Sequence, residues 1–327
     1  MVVAYRSYMD QTLGYFDRPH VGLPDTPVES AAAWRGDDLG GPDVWSTAFT
    51  EGEIDDLVAL GRRLGADLDA LGAQTLAEVS APALEGRVGG WRRELHDGRG
   101  FIVLHGFPVD RLSLAECEAA YWALGLLLGR PGAQNGAGEL LGHVRDYHEP
   151  AERTATIREY RTTVDINFHC DAADAVGLLC WWPAAKGGAS RLVSSAAVFN
   201  EMLRVDRDLA ARLCEPVELD ARSDGEGFSH VPVQPVCFDG TTVRTFMHLG
   251  YFRSAARHAD VALDARLVAA LDLWESIATS PEMHVDMDLV PGDLQLCSNH
   301  SIAHARTGYV DDPDHPRHLL RLWLTFD

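Results

Sequence analysis

Apolar residues at positions 54, 57, 58, 60, 64 and 68 recur at helical spacing and predict helix within residues 50–80. Ahead of them, residues 1–45 carry Gly, Pro and Asp at short intervals and predict an irregular arm. The run "GRGFIVLHGFP" (98–108) is short, apolar and bounded by glycines, which predicts a buried strand. "SLAECEAAYWALGLLLG" (113–129) predicts a helix, with Ser113 as N-cap and Glu116 as its capping-box partner. Beyond 130 the pattern shortens to strands at 161–171, 176–182, 190–195, 230–238, 242–249, 293–298 and 317–326, interrupted by helices near 195–213 and 264–279. No repeat or Pro/Gly-rich linker divides the chain. These elements predict an α+β fold in a single domain, 1–327, with an N-terminal arm and helices to residue 95 packed on a β-rich remainder, 96–327.

Alternation within the first of these strands puts Val164, Ile166 and Phe168 on one face and Asp165, Asn167, His169 and Asp171 on the other. A solvent-facing surface would account for the polar set, and so would a barrel interior holding a metal ion. Two histidines and one carboxylate on one face of a metal would leave open positions for a co-substrate and O2. His300 and His304, in "SNHSIAHAR", are both candidates for the third ligand. In the last strand Arg317, Leu319, Arg321 and Trp323 share a face. Two guanidinium groups buried there each need an anion, either from a ligand or from a protein carboxylate.

Composition narrows the partners. A hydrophobic content of 46% over 327 residues supports a substantial core, and the formal net charge of −21 disfavours a nucleic acid or an anionic membrane. The six cysteines, at 117, 170, 180, 214, 237 and 297, form no CxxC pair and read as reduced core thiols. The N-terminus has no apolar stretch of signal-peptide length, and no run approaches a membrane span, so a cytoplasmic location is expected. The expected partner is a small molecule, with self-association into a homo-oligomer left open.

Several segments, in order from about 98 to 324, together resemble the TauD/TfdA family of Fe(II)/2-oxoglutarate-dependent dioxygenases, including its clavaminate-synthase-like members. They are "GRGFIVLHGFP", "LGRPGAQN", "FHCDAADAVGLLCW", "GGASRLVSS", "PGDLQLCSNHSIAHARTGY" and "RHLLRLWL". The resemblance implies a double-stranded β-helix, or jelly roll, with the metal at one mouth. It implies Fe(II) bound by His169, Asp171 and His304, with His300 packing nearby, Cys170 in the core and Asp174 in a turn. Arg317 and Ser190, the latter standing where many members have Thr, match the groups that hold the far carboxylate of 2-oxoglutarate, and Arg321 matches an arginine that in some members faces an anionic substrate.

The reaction implied is oxidation of an unactivated C–H bond with O2, releasing succinate and CO2. Hydroxylation is the default outcome; desaturation, epoxidation and ring formation remain alternatives. Asp171 is the carboxylate that the family's halogenases lack. Gln134, Asn135, Asn167 and His248 are further candidates for substrate contact, with Tyr251 and Arg253 beside them. Trp181 and Trp182 alternate, so at most one can face a cavity. Two rival readings keep the site but change its use: a zinc hydrolase, which would leave the paired arginines without a role, and a jelly roll that binds a metal or oxoacid without turnover.

Overall fold

A computed structural model of the protein describes residues 5–65, 68–147, 159–221 and 229–326. Two antiparallel sheets face each other. Among the described residues the larger sheet runs Ser46–Ala48, Phe101–His105, Leu294–Ser298, Ala175–Trp182, His318–Thr325 and Arg130–Gly132. Gly142–Val144 also pairs with His318–Thr325, and only the 46–48 strand pairs in parallel. The smaller sheet runs His284–Met287, Ser190–Ser194, Ile302–Arg306 and Ile166–His169. This is the expected double-stranded β-helix.

Alternation along the strands explains the layers. From the larger sheet Phe101, Val103, Val176, Cys297 and Trp323 point inward and meet Leu192, Met287 and Ile302 of the smaller one. The alternate residues Leu320, Leu322 and Leu324 point outward, beneath helices Glu51–Leu64, Pro82–His96 and Leu114–Leu128. Helices Ser195–Val205, Arg207–Leu213 and Ala265–Ala278 cover the other sheet. Leu114–Leu128 is apolar on all sides and almost wholly buried, and its capping box is as expected: Ser113 N–H donates to Glu116 Oε2 at 2.8 Å. All six cysteines are unpaired and buried. Among the described residues no helix is long and apolar enough to cross a membrane.

The structure departs from the expected elements in several places. The arm at 1–45 contains a helix, Tyr8–Phe16, whose buried residues are Gln11 and Tyr15. Tyr15 packs into the core and hydrogen bonds from Gln11 and Tyr15 add to it, but the buried apolar positions are too few to show a period. Helix Pro82–His96 does bury a stripe (Leu84, Val88, Trp91, Leu95), but Gly86, Gly89 and Gly90 dilute the signal. The 195–213 helix breaks at Asp206, which caps a second helix by accepting from Asp208 and Leu209 N–H. The 230–238 strand is two strands in separate sheets, interrupted at Gln234-Pro235. The 242–249 strand stops at Thr245, ahead of helix Leu249–Ser254. Strand Ile302–Arg306, which carries His304, was not foreseen.

Candidate metal centre and substrate cleft

His169 ends its strand, and His304 lies directly across from it on the neighbouring strand. The two imidazoles lie 4.2 Å apart, centroid to centroid. One side-chain ligand atom from each of His169, Asp171 and His304 lies within 4.8 Å of the others, the only such group among the described residues. Cys170 turns the other way, its Sγ against the Ile302 carbonyl, and burial pushes its thiol up to about 12, which keeps it inert.

The surroundings prepare each group for a cation. His169 Nδ1–H donates to the Asn167 carbonyl at 2.9 Å, which leaves Nε2 with a lone pair. Burial, and then the neighbouring His169, push His304 down to about 3, so its imidazole is neutral. Burial alone would raise the Asp171 carboxyl, but Arg321, the two histidines and a hydrogen bond from Trp323 outweigh it and hold it below its ordinary value. Asn299 fixes the turn: its Oδ1 accepts from Asp171 N–H at 3.0 Å and its Nδ2 donates to the Ala173 carbonyl at 2.9 Å. Two imidazoles and one carboxylate at this spacing suit a divalent first-row metal such as Fe(II).

His300 and Asp174 stand apart from the triad. His300 Nε2 bonds Asp174 Oδ1 at 2.7 Å and its ring stacks on Tyr15; Asp174 Oδ2 accepts from Phe326 N–H.

Arg317 is 4% exposed, rests over the Tyr309 ring, and pairs with no carboxylate among the described residues. Its Nη1 has no hydrogen-bond partner. Gly188, at φ +75°, is what lets the chain pass so near: a Cβ there would stand 3.2 Å from Arg317 Nε. Two residues on, Ser190 Oγ donates to Gln295 Oε1 at 2.5 Å, and Gln295 Nε2 is buried without a partner. Sequence reasoning missed Gln295. A buried guanidinium with an idle N–H fits the carboxylate of an oxoacid.

His169 and Asp171 open into a cleft of about 130 Å³. Its walls include Arg321 and Trp323 from the last strand, His248 and Tyr251, and Tyr8, Thr12 and Phe16 from the N-terminal helix. His248 stacks on Tyr251 at 3.6 Å, and its ring lies 5.3 Å from that of His169. Arg321 lies over the Tyr160 ring at 4.7 Å, with Nη1 3.9 Å from Asp171 Oδ2.

Three expected substrate contacts are placed elsewhere. Gln134 is fully buried behind Arg321. The Asn135 side chain closes its own loop, accepting from Ala137 and Glu139 N–H and donating to Glu139. Asn167 is exposed and contributes its carbonyl to His169 rather than a side chain to the cleft. Arg253 is held outside by Asp272 and Glu275. Trp181 packs beneath the N-terminal helices and Trp182 stacks on His315, so neither lines the cleft.

Residues 62–323 match the model of the taurine catabolism dioxygenase TauD, TfdA family. The chain is 28% identical over 326 residues to FR-33289 synthase of Streptomyces rubellomurinus, covering 92% of this chain and 91% of that one. It is 29% identical over 240 residues to a uridine-5'-phosphate dioxygenase of an Amycolatopsis species, covering 68% and 86%. Asparagine oxygenase, solved with Fe(II), 3-hydroxyasparagine and succinate, shares the fold with a TM-score of 0.68 at 20% identity over 86% of this chain and 94% of that one. The oxygenase OrfP, solved with Fe and alpha-ketoglutaric acid, does so with a TM-score of 0.62 at 17% identity, again over 86% and 94%. The chain belongs to the TauD/TfdA family and is a Fe(II)/2-oxoglutarate-dependent dioxygenase.

Proposed function

We propose that His169, Asp171 and His304 hold the iron, that Arg317 and Ser190 hold the far carboxylate of 2-oxoglutarate, and that Arg321 receives the anionic group of a small substrate. The observation that carries this reading is the set of three ligand atoms within 4.8 Å, two of whose residues, His169 and Asp171, line the same cleft as Arg321. When bound, iron and 2-oxoglutarate supply O2 activation and oxidation of an unactivated C–H bond, with release of succinate and CO2. The chain's own part is placement. Asn299 and the Asn167 carbonyl orient two ligands, Arg317 fixes the co-substrate, and the aromatic walls exclude water and set which C–H faces the metal. Hydroxylation is the outcome we assign. The Tyr8–Phe16 helix walls a cleft floored by residues 169–171, which supports reading 1–327 as one domain. The six unpaired thiols fit a reducing, cytoplasmic location.

The cleft's charges favour one substrate class. Solved neighbours hold amino acids, L-Arg in OrfP and 3-hydroxyasparagine in asparagine oxygenase, while relatives are named for uridine 5'-phosphate. Among the described lining residues the carboxylates are Asp171 and Asp220. Asp171 belongs to the triad; Asp220 is buried and committed to Arg257, Ser254 and His258. Among the described lining residues no carboxylate remains for a substrate ammonium, whereas Arg321 offers a cation. An anion without an ammonium group, phosphorylated or carboxylated, fits better than an α-amino acid.

The experiment is an anaerobic titration of metal-free protein with Fe(II) and then 2-oxoglutarate, watching for the visible band of the chelated co-substrate. It is followed by succinate release with uridine 5'-phosphate, L-asparagine and L-arginine as probes. A band in the wild type, lost in His304→Ala and weakened in Arg317→Ala, supports the site. Stimulation by the amino acids and not by the phosphate would overturn the anion assignment.

A further inference from the structure

The carboxylate of Asp171 is held by less than its surroundings suggest. Asn299 grips the main chain of the 171–174 turn and leaves the carboxylate itself alone. Arg321 Nη1, at 3.9 Å, lies beyond hydrogen-bond distance. The hydrogen bond that does reach the group comes from the indole: Trp323 Nε1–H donates to Oδ2 at 2.9 Å. The terminal torsion of an aspartate is broad and roughly two-fold, so a carboxylate pinned only at its backbone can still swing. One N–H on Oδ2, the oxygen that lies 3.7 Å from His304 Nε2, fixes its orientation and leaves lone pairs for a metal.

The indole is held in turn. It sits inward on strand His318–Thr325, 6% exposed, with the Arg321 guanidinium over its ring at 5.3 Å. Tyr8 is stacked against it at 6.5 Å and 29°. Tyr8 belongs to the N-terminal helix that walls the cleft, and Trp323 is itself a cleft-lining residue. One ring thus joins the iron ligand, the anion-binding arginine and the substrate wall. Space-filling alone would be met by any large apolar side chain; the donor at this spot is what tryptophan adds.

We propose that Trp323 is a positioning residue for the iron ligand Asp171, setting the orientation of its carboxylate for the metal. The proposal rests on His169, Asp171 and His304 being the iron site. Partners of this kind, one step behind a metal ligand, typically change metal affinity about 10–100-fold when removed.

The test uses the full chain and reads Fe(II) affinity, which needs no knowledge of the substrate. Trp323→Phe keeps a ring and removes the N–H. Its Fe(II) dissociation constant, from anaerobic competition titration, is expected to rise about 10–100-fold, with the 2-oxoglutarate band recovered at saturating iron. If Trp323→Phe fails to fold, 3-benzothienylalanine at position 323 carries the test, because it replaces the indole N–H by sulfur in nearly the same shape. Thermal unfolding of the metal-free proteins runs alongside. A merely structural indole would lower that midpoint and leave the Fe(II) constant within about twofold of wild type, a result that overturns the proposal. Wild-type protein that takes up no Fe(II) would remove the site reading, and the inference with it, which is a different result from equal affinities.

Discussion

Gln134 brackets Arg321 from both ends: its Oε1 accepts from Arg321 Nε at 2.6 Å, and its Nε2 donates to the Arg321 carbonyl at 2.8 Å. The pair is buried, so the glutamine sets where the guanidinium points without touching the cleft. Gln134→Leu leaves a buried N–H and a carbonyl unpaired, at a cost of about 1–3 kcal/mol, and the unfolding midpoint should fall by several degrees. Gln134→Glu keeps the acceptor and neutralises the arginine but turns an oxygen toward the Arg321 carbonyl, so it should lower the midpoint too and, unlike the leucine, raise the KM for an anionic substrate about tenfold or more. Calorimetry and steady-state succinate release separate the two effects. Equal KM values in Gln134→Glu and wild type would mean that Arg321 does not meet the substrate's charge.

Arg317 lies four residues before Arg321, just ahead of strand His318–Thr325, on the order of 13 Å away at about 3.3 Å per residue. Its burial without a carboxylate predicts that removal harms the co-substrate and not the metal. Charged hydrogen bonds contribute about 1.5–3 kcal/mol each, so Arg317→Ala should weaken 2-oxoglutarate binding by roughly 10- to 100-fold or more. Fe(II) affinity should stay within about twofold. Ser190→Ala should have a smaller effect, about fivefold for one neutral hydrogen bond of about 1 kcal/mol. Titrating the visible band in iron-loaded protein checks both. An unchanged 2-oxoglutarate constant in Arg317→Ala would move the carboxylate site elsewhere.

What the sequence disclosed and what it hid follow from how local each signal is. The alternation of 317–323 put Arg317, Leu319, Arg321 and Trp323 on one face; the structure keeps Arg321 and Trp323 together on the cleft because Leu320, Leu322 and Leu324 are needed under the helices, whereas Arg317 precedes the strand and a register shift separates His318 from Leu319. The "HCD" stretch placed His169 and Asp171 on one side with Cys170 in the core for the same reason. Gln134 and Asn135 looked like substrate residues because polar side chains in a loop carry no sign of which way they point. One faces back into the fold and the other serves its own turn. The N-terminal helix was invisible because, beside the packing of Tyr15, long-range hydrogen bonds hold it: Gln11 Nε2 to the Ala133 carbonyl, and Tyr15 Oη to the carbonyls of Thr245 and Asn299. Such contacts span more than 100 residues of chain and have no period to read.

That helix makes its own prediction. Tyr8, Thr12 and Phe16 fall at i, i+4 and i+8 and face the cleft together. The Thr12 hydroxyl is sealed from solvent and has no hydrogen-bond partner. Thr12→Val removes an unsatisfied polar atom at nearly constant shape, so metal-free protein should unfold at an equal or higher temperature. If the hydroxyl is reserved for the substrate, KM should rise about fivefold, for about 1 kcal/mol, with Fe(II) and 2-oxoglutarate constants unmoved. Thr12→Ser should restore it. A lowered unfolding midpoint would mean that the hydroxyl is satisfied in the native protein after all.

Acid sensitivity should come in part from a histidine pair away from the iron. His143 Nδ1 and His318 Nε2 share a hydrogen bond at 2.8 Å, which requires at least one ring to be neutral. Burial first, then His143 and Arg145, push His318 down to about 4. Burial and Arg145 lower His143 as well, against a smaller pull from Glu139. Glu118, its own pKa raised by burial, lies 3.9 Å from His143 Nε2. An unfolded histidine titrates near 6.5. The unfolded chain therefore takes up protons before the folded one does, so the pair's contribution is intact above about pH 6.5 and is lost as pH falls from there toward 4. The unfolding midpoint of metal-free protein should decline over that range. In His318→Gln, with one such proton uptake removed, the decline should be shallower even if the midpoint at pH 7.5 is lower. Parallel curves for the two proteins between pH 7.5 and 5 would show that the pair does not govern the acid limb.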